Sequence, residues 1–330
     1  MEIDNKFGNL LNLTASMNVV APNFASAISD TLIDAEAQTQ TAFSDKWEQY
    51  QYDSADFKKF VADQKLWYLS LYGFSDEAAL AVYLQNCNFI LDAGAGKCYK
   101  AAWFAELNPA ATVIAADIST SLWKAAEHYQ HVNNLFFVQC DISSMPFFQD
   151  ALFDYISCDQ VIHHTPDPFR TFQELVRLTQ FDKELAVYVY RKKALPRELV
   201  DDYFREFSQT LTYDELMTLS EQITDLGKKL DDLNVEMDFP DIPLLAIEGG
   251  KMSVQRFIYW NFLKCYWNAE QGHHNSVMIN YDWYAPSQAF RYSEEEFKRW
   301  VKREQLEEVY FHKEEACYSG RFLKSSKRLC

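Results

Sequence analysis

The spacing of apolar residues changes along the chain and divides it into parts. Between positions 47 and 84, aromatic and aliphatic residues recur at helical spacing, which predicts helices packed beside a sheet. From position 88 onward, short apolar runs alternate with amphipathic segments, and this alternation predicts a doubly wound, mainly parallel α/β sheet of seven strands. The predicted strands are 89–91, 112–116, 135–138, 152–157, 185–190, 307–311 and 316–323, and the predicted helices between them are 97–107, 120–130, 168–178 and 294–302.

The alternation is interrupted after the fifth predicted strand, between positions 190 and 291. This stretch has helical patterns at 196–208, 213–230 and 253–268, and an aromatic-rich predicted loop at 281–286. Because it follows a parallel strand, it should emerge at the sheet edge where ligands bind. The predicted organisation is a helical N-terminal cover (1–85), a sheet core (86–190 and 291–330) and a helical insertion (191–290), with no chemistry assigned to residues 1–45.

The chain is strongly acidic, with a formal net charge of -17 over 330 residues. Its basic residues form only short patches, so a groove that follows nucleic-acid phosphates is not expected. Such a surface mildly favours cationic or neutral small substrates. The same charge also simply promotes solubility.

The seven cysteines are scattered singly, without the spacing of a metal site or a disulfide framework. We therefore expect no metal and a reducing compartment. The N-terminus lacks a basic stretch followed by an apolar one, and no apolar run is long enough for a membrane span. These features predict a cytoplasmic protein without a membrane partner.

A glycine loop follows the first predicted strand, in the sequence LDAGAGKC at positions 91–98. Glycine lets the backbone turn sharply and approach a ligand closely, and the following helix offers free N–H groups. A dinucleotide site needs a third glycine in the pattern G-x-G-x-x-G, but Tyr99 stands in that place. A nicotinamide-dependent dehydrogenase is therefore disfavoured.

The loop resembles the first motif of the class I S-adenosylmethionine-dependent methyltransferases, of the small-molecule, type 11-like kind. Asp92, Gly94 and Gly96 match the D-x-G-x-G-x-G variant that closes the first strand, and Cys98 stands at its last glycine. The resemblance implies a Rossmann-like fold and S-adenosylmethionine as cofactor, with Asp92 near the cofactor's amino group. It places these loop residues against the methionine portion: Ala93, Gly94, Ala95 and Gly96.

Three further strand ends fit the same family pattern. The resemblance implies that Asp117 binds the ribose hydroxyls, that Asp141 faces the adenine amino group, and that Asp159 lies beside the methyl group. It also implies an aromatic residue over the cofactor, for which Trp47 and Tyr50 are candidates. Any one such acid can instead cap a following helix, so the prediction rests on their joint spacing. The residues that complete the predicted cofactor site are Ile118, Ile142 and Gln160.

The end of the fourth predicted strand indicates the class of acceptor. Methyltransferases of nucleobase amines or protein glutamine usually carry an N-P-P-Y type motif here, whereas this chain has DQVIHH at 159–164. That segment resembles the small-molecule methyltransferases. His163 and His164 are the candidate catalytic residues because histidine titrates in the range useful to a general base. The alternative is that the pair is structural.

The insertion carries the candidate acceptor site. Asp282, Trp283 and Tyr284 combine a carboxylate with aromatic faces, which suits a cationic or aromatic acceptor, or they anchor the insertion to the core. Arg191 is a candidate for binding an acceptor carboxylate. The basic residues near it, which share that interpretation or form a solvated charge run, are Lys192, Lys193 and Arg197.

Together these features predict methyl transfer to a small molecule by in-line displacement, in which alignment supplies much of the rate and a base is needed only if the acceptor must lose a proton. The alternative is a cofactor-binding or scaffolding protein of the same fold that methylates nothing. The acceptor, the atom methylated and the oligomeric state stay open.

Overall fold

A mostly parallel sheet of ten strands forms the centre of the structure, a computed structural model that describes residues 3–12, 17–28 and 34–326. A separate two-stranded hairpin, β8 and β9, lies in the insertion. The strands are β1 (Asn18–Ala21), β2 (Phe24–Ser26), β3 (Phe89–Ala93), β4 (Thr112–Asp117), β5 (Leu135–Gln139), β6 (Phe153–Cys158), β7 (Thr179–Arg191), β8 (Glu236–Phe239), β9 (Gly250–Ser253), β10 (Arg291–Tyr292), β11 (Glu307–Lys313) and β12 (Cys317–Lys324).

The seven predicted strands are all present and lie side by side in the order β5-β4-β3-β6-β7-β12-β11. Strands β5, β4, β3, β6 and β7 pair in parallel, whereas β12 runs antiparallel to both of its neighbours. The order reverses at β3, since β4 and β5 lie on one side of it and β6 and β7 on the other. The crevice at the carboxyl ends of such strands is where open α/β sheets bind ligands.

Three short strands raise the count from the predicted seven to ten. β1 and β2 form a hairpin, and β2 extends the sheet by pairing in parallel with β5, with Phe24 opposite Phe137. β10 pairs with the end of β7. Each of the three has at most four residues, too few for an alternating pattern to reveal. The prediction of a wholly helical cover is therefore wrong at positions 18–26.

Helices cover both faces of the sheet, as the alternating pattern predicted. The predicted helix 168–178 is confirmed at both ends. At its start, Asp167 accepts a hydrogen bond from the backbone N–H of Arg170, and Pro168 occupies the first turn. The helices are α1 (Asn5–Gly8), α2 (Asp34–Glu48), α3 (Ala55–Leu71), α4 (Glu77–Leu84), α5 (Tyr99–Leu107), α6 (Ser121–His128), α7 (Pro168–Leu178), α8 (Leu195–Ser208), α9 (Tyr213–Asp232), α10 (Val254–Asn261), α11 (Gly272–Tyr284) and α12 (Glu294–Arg303).

The insertion differs from its prediction in three places. Residues 281–286 are not a loop, because α11 continues to Tyr284 and no proline interrupts it before Pro286. The predicted helix 253–268 ends at Asn261, since the backbone of Phe262 leaves the helical conformation. The hairpin of β8 and β9 lies after the predicted helix 213–230 and ends where the predicted helix 253–268 begins, within an insertion that was predicted to be helical as a whole.

Alternate residues of β3 belong to two cores on opposite faces of the sheet. Ile90 packs in the core that includes buried residues of α3, α4 and α5, and Leu91 packs in the core that includes those of α7 and α12. Both side chains are fully buried. Since both faces are covered, the strand is apolar up to Asp92, where it reaches the ligand-binding edge.

Within the described residues, no helix is both long enough and apolar enough to cross a membrane. Six cysteines in this part of the chain are free and buried, and Cys330 lies outside the described residues.

Candidate functional site

A cavity of about 540 Å³ opens at the carboxyl ends of β3, β4, β5 and β6 and continues under the insertion. Because these strands are parallel neighbours, the residues that follow them meet at this edge. Asp92, Ala93 and Gly96 do not line the cavity, although they belong to the same loop. The predicted cofactor residues that do line it are Gly94, Ala95, Asp117, Ile118, Asp141, Ile142, Asp159 and Gln160.

The glycine loop has two positions where only glycine fits. A Cβ atom on Gly94 (φ +83°) would lie 2.3 Å from a methyl carbon of Val161, and one on Gly96 (φ +52°) would lie 2.7 Å from the indole of Trp47. Both backbones are also in the left-handed region. Cys98, at the last glycine of the motif, has φ 60°, a conformation that glycine adopts more easily.

Asp117 ties the glycine loop to the end of β4. One carboxylate oxygen accepts a hydrogen bond from the backbone N–H of Gly96 at 2.7 Å, and the other accepts one from the N–H of Ser119, also at 2.7 Å. Burial raises the pKa of Asp117, and the two N–H donors oppose that shift. The carboxylate therefore orders the loop and still faces the cavity.

Asp92 is fully buried, and neither of its carboxylate oxygens has a hydrogen-bond partner among the described residues. Burial raises the pKa of this carboxyl to about 6, although the positive charge of Lys100 opposes the shift. A buried carboxylate without a partner is expensive. Its place beside the loop fits a site for a cationic group.

Asp159 is the centre of a buried ion pair that the sequence did not predict. Its carboxylate lies 2.7 Å from the ammonium of Lys100 and accepts further hydrogen bonds from the hydroxyl of Tyr72 and the amide of Gln160. Burial alone would lower the pKa of Lys100, but the charge of Asp159 outweighs it and raises that pKa. Asp159 is thus held rigidly beside the cavity.

The two candidate histidines have different surroundings. His164 lines the cavity, and its Nδ1 lies 2.7 Å from the carbonyl oxygen of Gln288, so the proton sits on Nδ1 and leaves Nε2 as the basic nitrogen. Burial lowers the pKa of His164 to about 4. His163 does not line the cavity; its ring packs 3.6 Å from that of Tyr190, centroid to centroid, and neither nitrogen has a partner among the described residues.

The acceptor residues proposed from the sequence separate into two groups. Asp282 and Trp283 line the cavity, as do Lys193 and Arg197. The remaining three do not line it: the Tyr284 hydroxyl donates to the Lys264 carbonyl, Arg191 pairs with Glu248, and Lys192 pairs with Glu296.

Residues 91–187 match the family model described as a methyltransferase domain, of type 11. That match begins within β3 and ends within β7, and it includes every predicted cofactor residue from Asp92 to Gln160. This segment is a class I methyltransferase domain. The cofactor of this family is S-adenosylmethionine, as the glycine loop predicted. The search against curated proteins finds no match.

Solved structures similar to this chain include a magnesium protoporphyrin IX methyltransferase from Synechocystis PCC 6803, with 14% identity over 87% of this chain and 97% of that one, at a TM-score of 0.44. A protein from Pyrococcus horikoshii OT3 has 14% identity over 88% and 99%, at 0.42. A Galdieria sulphuraria protein assigned as a sarcosine dimethylglycine methyltransferase has 22% identity over 34% of this chain at 0.31, and the chain spans only 42% of its length.

Helices α2 and α3 also cover the site of the methyltransferase domain, although the sequence indicated only Trp47 of their residues as a candidate. Trp47 packs on the glycine loop, and Gln64 accepts a hydrogen bond from Gln160 at 2.8 Å. Only the aromatic residues at positions 47 and 50 had signalled this contact. The other side chains of these helices that line the cavity are Phe43, Lys46, Phe60, Asp63 and Trp67.

Proposed function

We propose that this chain transfers the methyl group of S-adenosylmethionine to a small molecule held between the glycine loop and the insertion. The observation that carries the proposal is one continuous cavity, which is lined at one end by the loops after β3 to β6 and at the other by α8, α10 and α11. In this proposal residues 191–290 act as the substrate lid.

The residues at the sheet edge fit the cofactor. Each oxygen of Asp117 accepts one backbone N–H and keeps a lone pair for a ribose hydroxyl. The unpartnered carboxylate of Asp92 would face the cofactor's amino group across the glycine loop. Ile118 and Ile142 offer apolar surface for the adenine ring, and Asp141 would accept a hydrogen bond from its amino group.

The enclosure of the cavity supports a small acceptor. Helices α2 and α3 cover it from one side and α10 and α11 from the other, and its volume of about 540 Å³ lies in the range of small-molecule sites. A polymer would require an open groove. The net charge of -17 also disfavours nucleic acid.

His164 is positioned to take a proton from the acceptor. Bound S-adenosylmethionine supplies a methyl group on a positively charged sulfur, which a nucleophile displaces in line. The Gln288 carbonyl fixes the tautomer of His164, so its unprotonated Nε2 is available as the base. His163 has no such access and is assigned a packing role.

Replacing Asp117 with alanine is expected to weaken binding of S-adenosylhomocysteine by about tenfold to a hundredfold. The variant loses the ribose acceptor and frees the N–H of Gly96 that orders the loop. Isothermal titration calorimetry measures this change. The control is Glu127→Ala on the exposed face of α6, which should bind as the unaltered protein does.

Two measurements separate the competing interpretations. Folded protein that produces no heat with S-adenosylmethionine or S-adenosylhomocysteine would refute the proposed cofactor site. Incubation with a methyl-labelled cofactor and a pool of small metabolites tests the reaction. Binding without any labelled product would favour the non-catalytic alternative.

Replacing His164 with asparagine is expected to lower kcat about 10²- to 10⁴-fold, because the amide can donate to Gln288 but cannot accept a proton. Because its pKa is about 4, His164 should stay unprotonated in the native enzyme as the pH falls through neutrality, and kcat should decline only near that value. The readouts are the pH profile of kcat and cofactor affinity.

The control for this variant is the exposed His131→Asn, which should leave kcat unchanged. If the His164 variant keeps its full kcat, His164 does not act as a general base. Alignment of the acceptor with the methyl group would then be the main contribution to the rate.

A further inference from the structure

Positive charge collects at the insertion end of the cavity, in a chain whose net charge is -17. Lys193, Arg197 and Lys264 all line this end. The charge of Arg197 lowers the pKa of both lysines, and the charge of Lys264 also lowers the pKa of Lys193, so the three groups lie close together. The negative net charge of the chain therefore does not describe this end of the cavity.

Lys264 is a buried ammonium, with 7% of the residue exposed. Its Nζ donates to the hydroxyl of Tyr259 at 2.9 Å, its only hydrogen bond among the described residues. An ammonium has three N–H donors, so two have no protein acceptor. The rings of Tyr259, Tyr266 and Trp283 surround the charge at 5.1 to 5.5 Å.

Lys193, which is half-buried, lines the same end of the cavity. Its Nζ donates to the backbone carbonyls of Glu315 and Ala316, at 2.6 and 3.1 Å, and lies 4.9 Å from the ring centroid of Trp260. In the described part of the chain, no carboxylate lies within 4 Å of this ammonium or of that of Lys264. Both charges are therefore held in the cavity without an anionic partner.

Each of the nearby carboxylates pairs with a cation other than Lys193 and Lys264. Asp201 pairs with Arg197 at 2.7 Å, and the Asp282 carboxylate lies 2.8 Å from the ammonium of Lys46 on α2. Glu198 pairs with Arg291. Arg197 is thus neutralised by Asp201, whereas Lys193 and Lys264 have no carboxylate partner to stabilise their charged forms.

Burial and the neighbouring positive charge destabilise the charged forms of both lysines. Burial lowers the pKa of Lys264 to about 7, and the charge of Arg197 adds to that shift, while Asp201 and Asp282 oppose it. Burial and the charges of Arg197 and Lys264 lower the pKa of Lys193 well below its usual value. An anion bound among them would restore both pKa values and supply the missing acceptors.

We propose that the methyl acceptor carries a carboxylate, which binds among Lys193, Arg197 and Lys264 while its apolar body packs on Trp260 and Trp283. This assignment rests on the proposed methyl transfer in the same cavity. It reverses the preference for cationic or neutral substrates that the net charge suggested. Aromatic walls around spare N–H donors suit a flat or apolar molecule with one acidic end.

The experiment compares four small probes on the protein saturated with S-adenosylhomocysteine: phenylacetate, phenylacetamide, phenethylamine and phenyl phosphate. Calorimetry should show phenylacetate binding at least about tenfold more tightly than its neutral amide, with the amine weakest. Equal binding of acid and amide, tighter binding of the amine, or no binding of phenylacetate would overturn the proposal. Tighter binding of phenyl phosphate would reassign the site to phosphate esters.

The variant Lys264→Met keeps an unbranched side chain, one atom shorter, and removes the charge, so the fold should tolerate it. Its preference for phenylacetate over phenylacetamide should fall at least about fivefold, while its affinity for S-adenosylhomocysteine stays the same. The matched control is Lys228→Met on α9, where the lysine is exposed and pairs with Asp232. An unchanged preference in the Lys264 variant would overturn the proposal. If the unaltered protein does not bind S-adenosylhomocysteine, the proposed methyl transfer itself is refuted instead.

Discussion

Replacing Lys100 with methionine is expected to lower the free energy of unfolding by about 3–5 kcal/mol. Only 6% of its side chain and 2% of that of Asp159 are exposed, and their charged atoms lie 2.7 Å apart. The variant would leave the Asp159 carboxylate buried with only neutral donors, the Tyr72 hydroxyl and the Gln160 amide. Urea denaturation measures the loss, and cofactor affinity should fall with it because Asp159 lines the cavity.

The control is Lys124→Met, which breaks an ion pair of similar length with Glu48. Those side chains are 60% and 51% exposed, so the expected loss is below about 1 kcal/mol. A second variant, Lys100→Met with Asp159→Asn, should recover part of the stability because no charge remains buried. Equal losses of stability in the Lys100→Met and Lys124→Met variants would contradict the role assigned to the buried ion pair.

Replacing Asp92 with asparagine is expected to stabilise the cofactor-free protein by up to about 3 kcal/mol near neutral pH. The pKa of this carboxyl is about 6 in the folded protein, against an ordinary value of 3.8 that the unfolded chain would show. Between these two pH values the folded state binds the extra proton. The stability of the unaltered protein therefore falls as the pH rises through this window and then levels off.

The asparagine variant lacks that titration, so its advantage should grow across the same window and vanish at lower pH. Denaturation at a series of pH values measures it, with the exposed Asp238→Asn as the control. The variant should at the same time bind S-adenosylhomocysteine more weakly, because the carboxylate that would face the amino group is gone. A stability difference that does not change with pH would contradict the unpartnered, buried carboxylate.

Several features of the site were predictable because they depend on residues close together in the chain. A buried parallel strand needs a continuous apolar run, and the residue that ends it faces the ligand edge, so the positions of Asp117 and Asp141 followed from the runs before them. The two glycines could be recognised because the loop between a strand and a helix needs a left-handed backbone. The short strands β1, β2 and β10 had no such local signal.

Other parts of the site depend on contacts between distant segments. Lys100 lies in an ordinary helical pattern, and nothing nearby in the sequence indicates that its ammonium meets Asp159, 59 residues away. Lys264 belongs to a segment predicted to be helical, and its charge gained significance only when the fold placed it beside Lys193 and Arg197. Arg191 was an equally plausible candidate, but its side chain turns to Glu248.

The sequence alone determined the parallel sheet, the cofactor loop and the order of the acids at its edge, because hydrophobic periodicity and backbone conformation are local properties. The tertiary structure decided which face of the cavity α2 and α3 cover, which histidine reaches it, and what charge meets the acceptor. These depend on which side chains are buried together. A charge inside the protein that has no partner there can be paired by a ligand. For this reason we propose a site for an anion in the interior of an acidic protein.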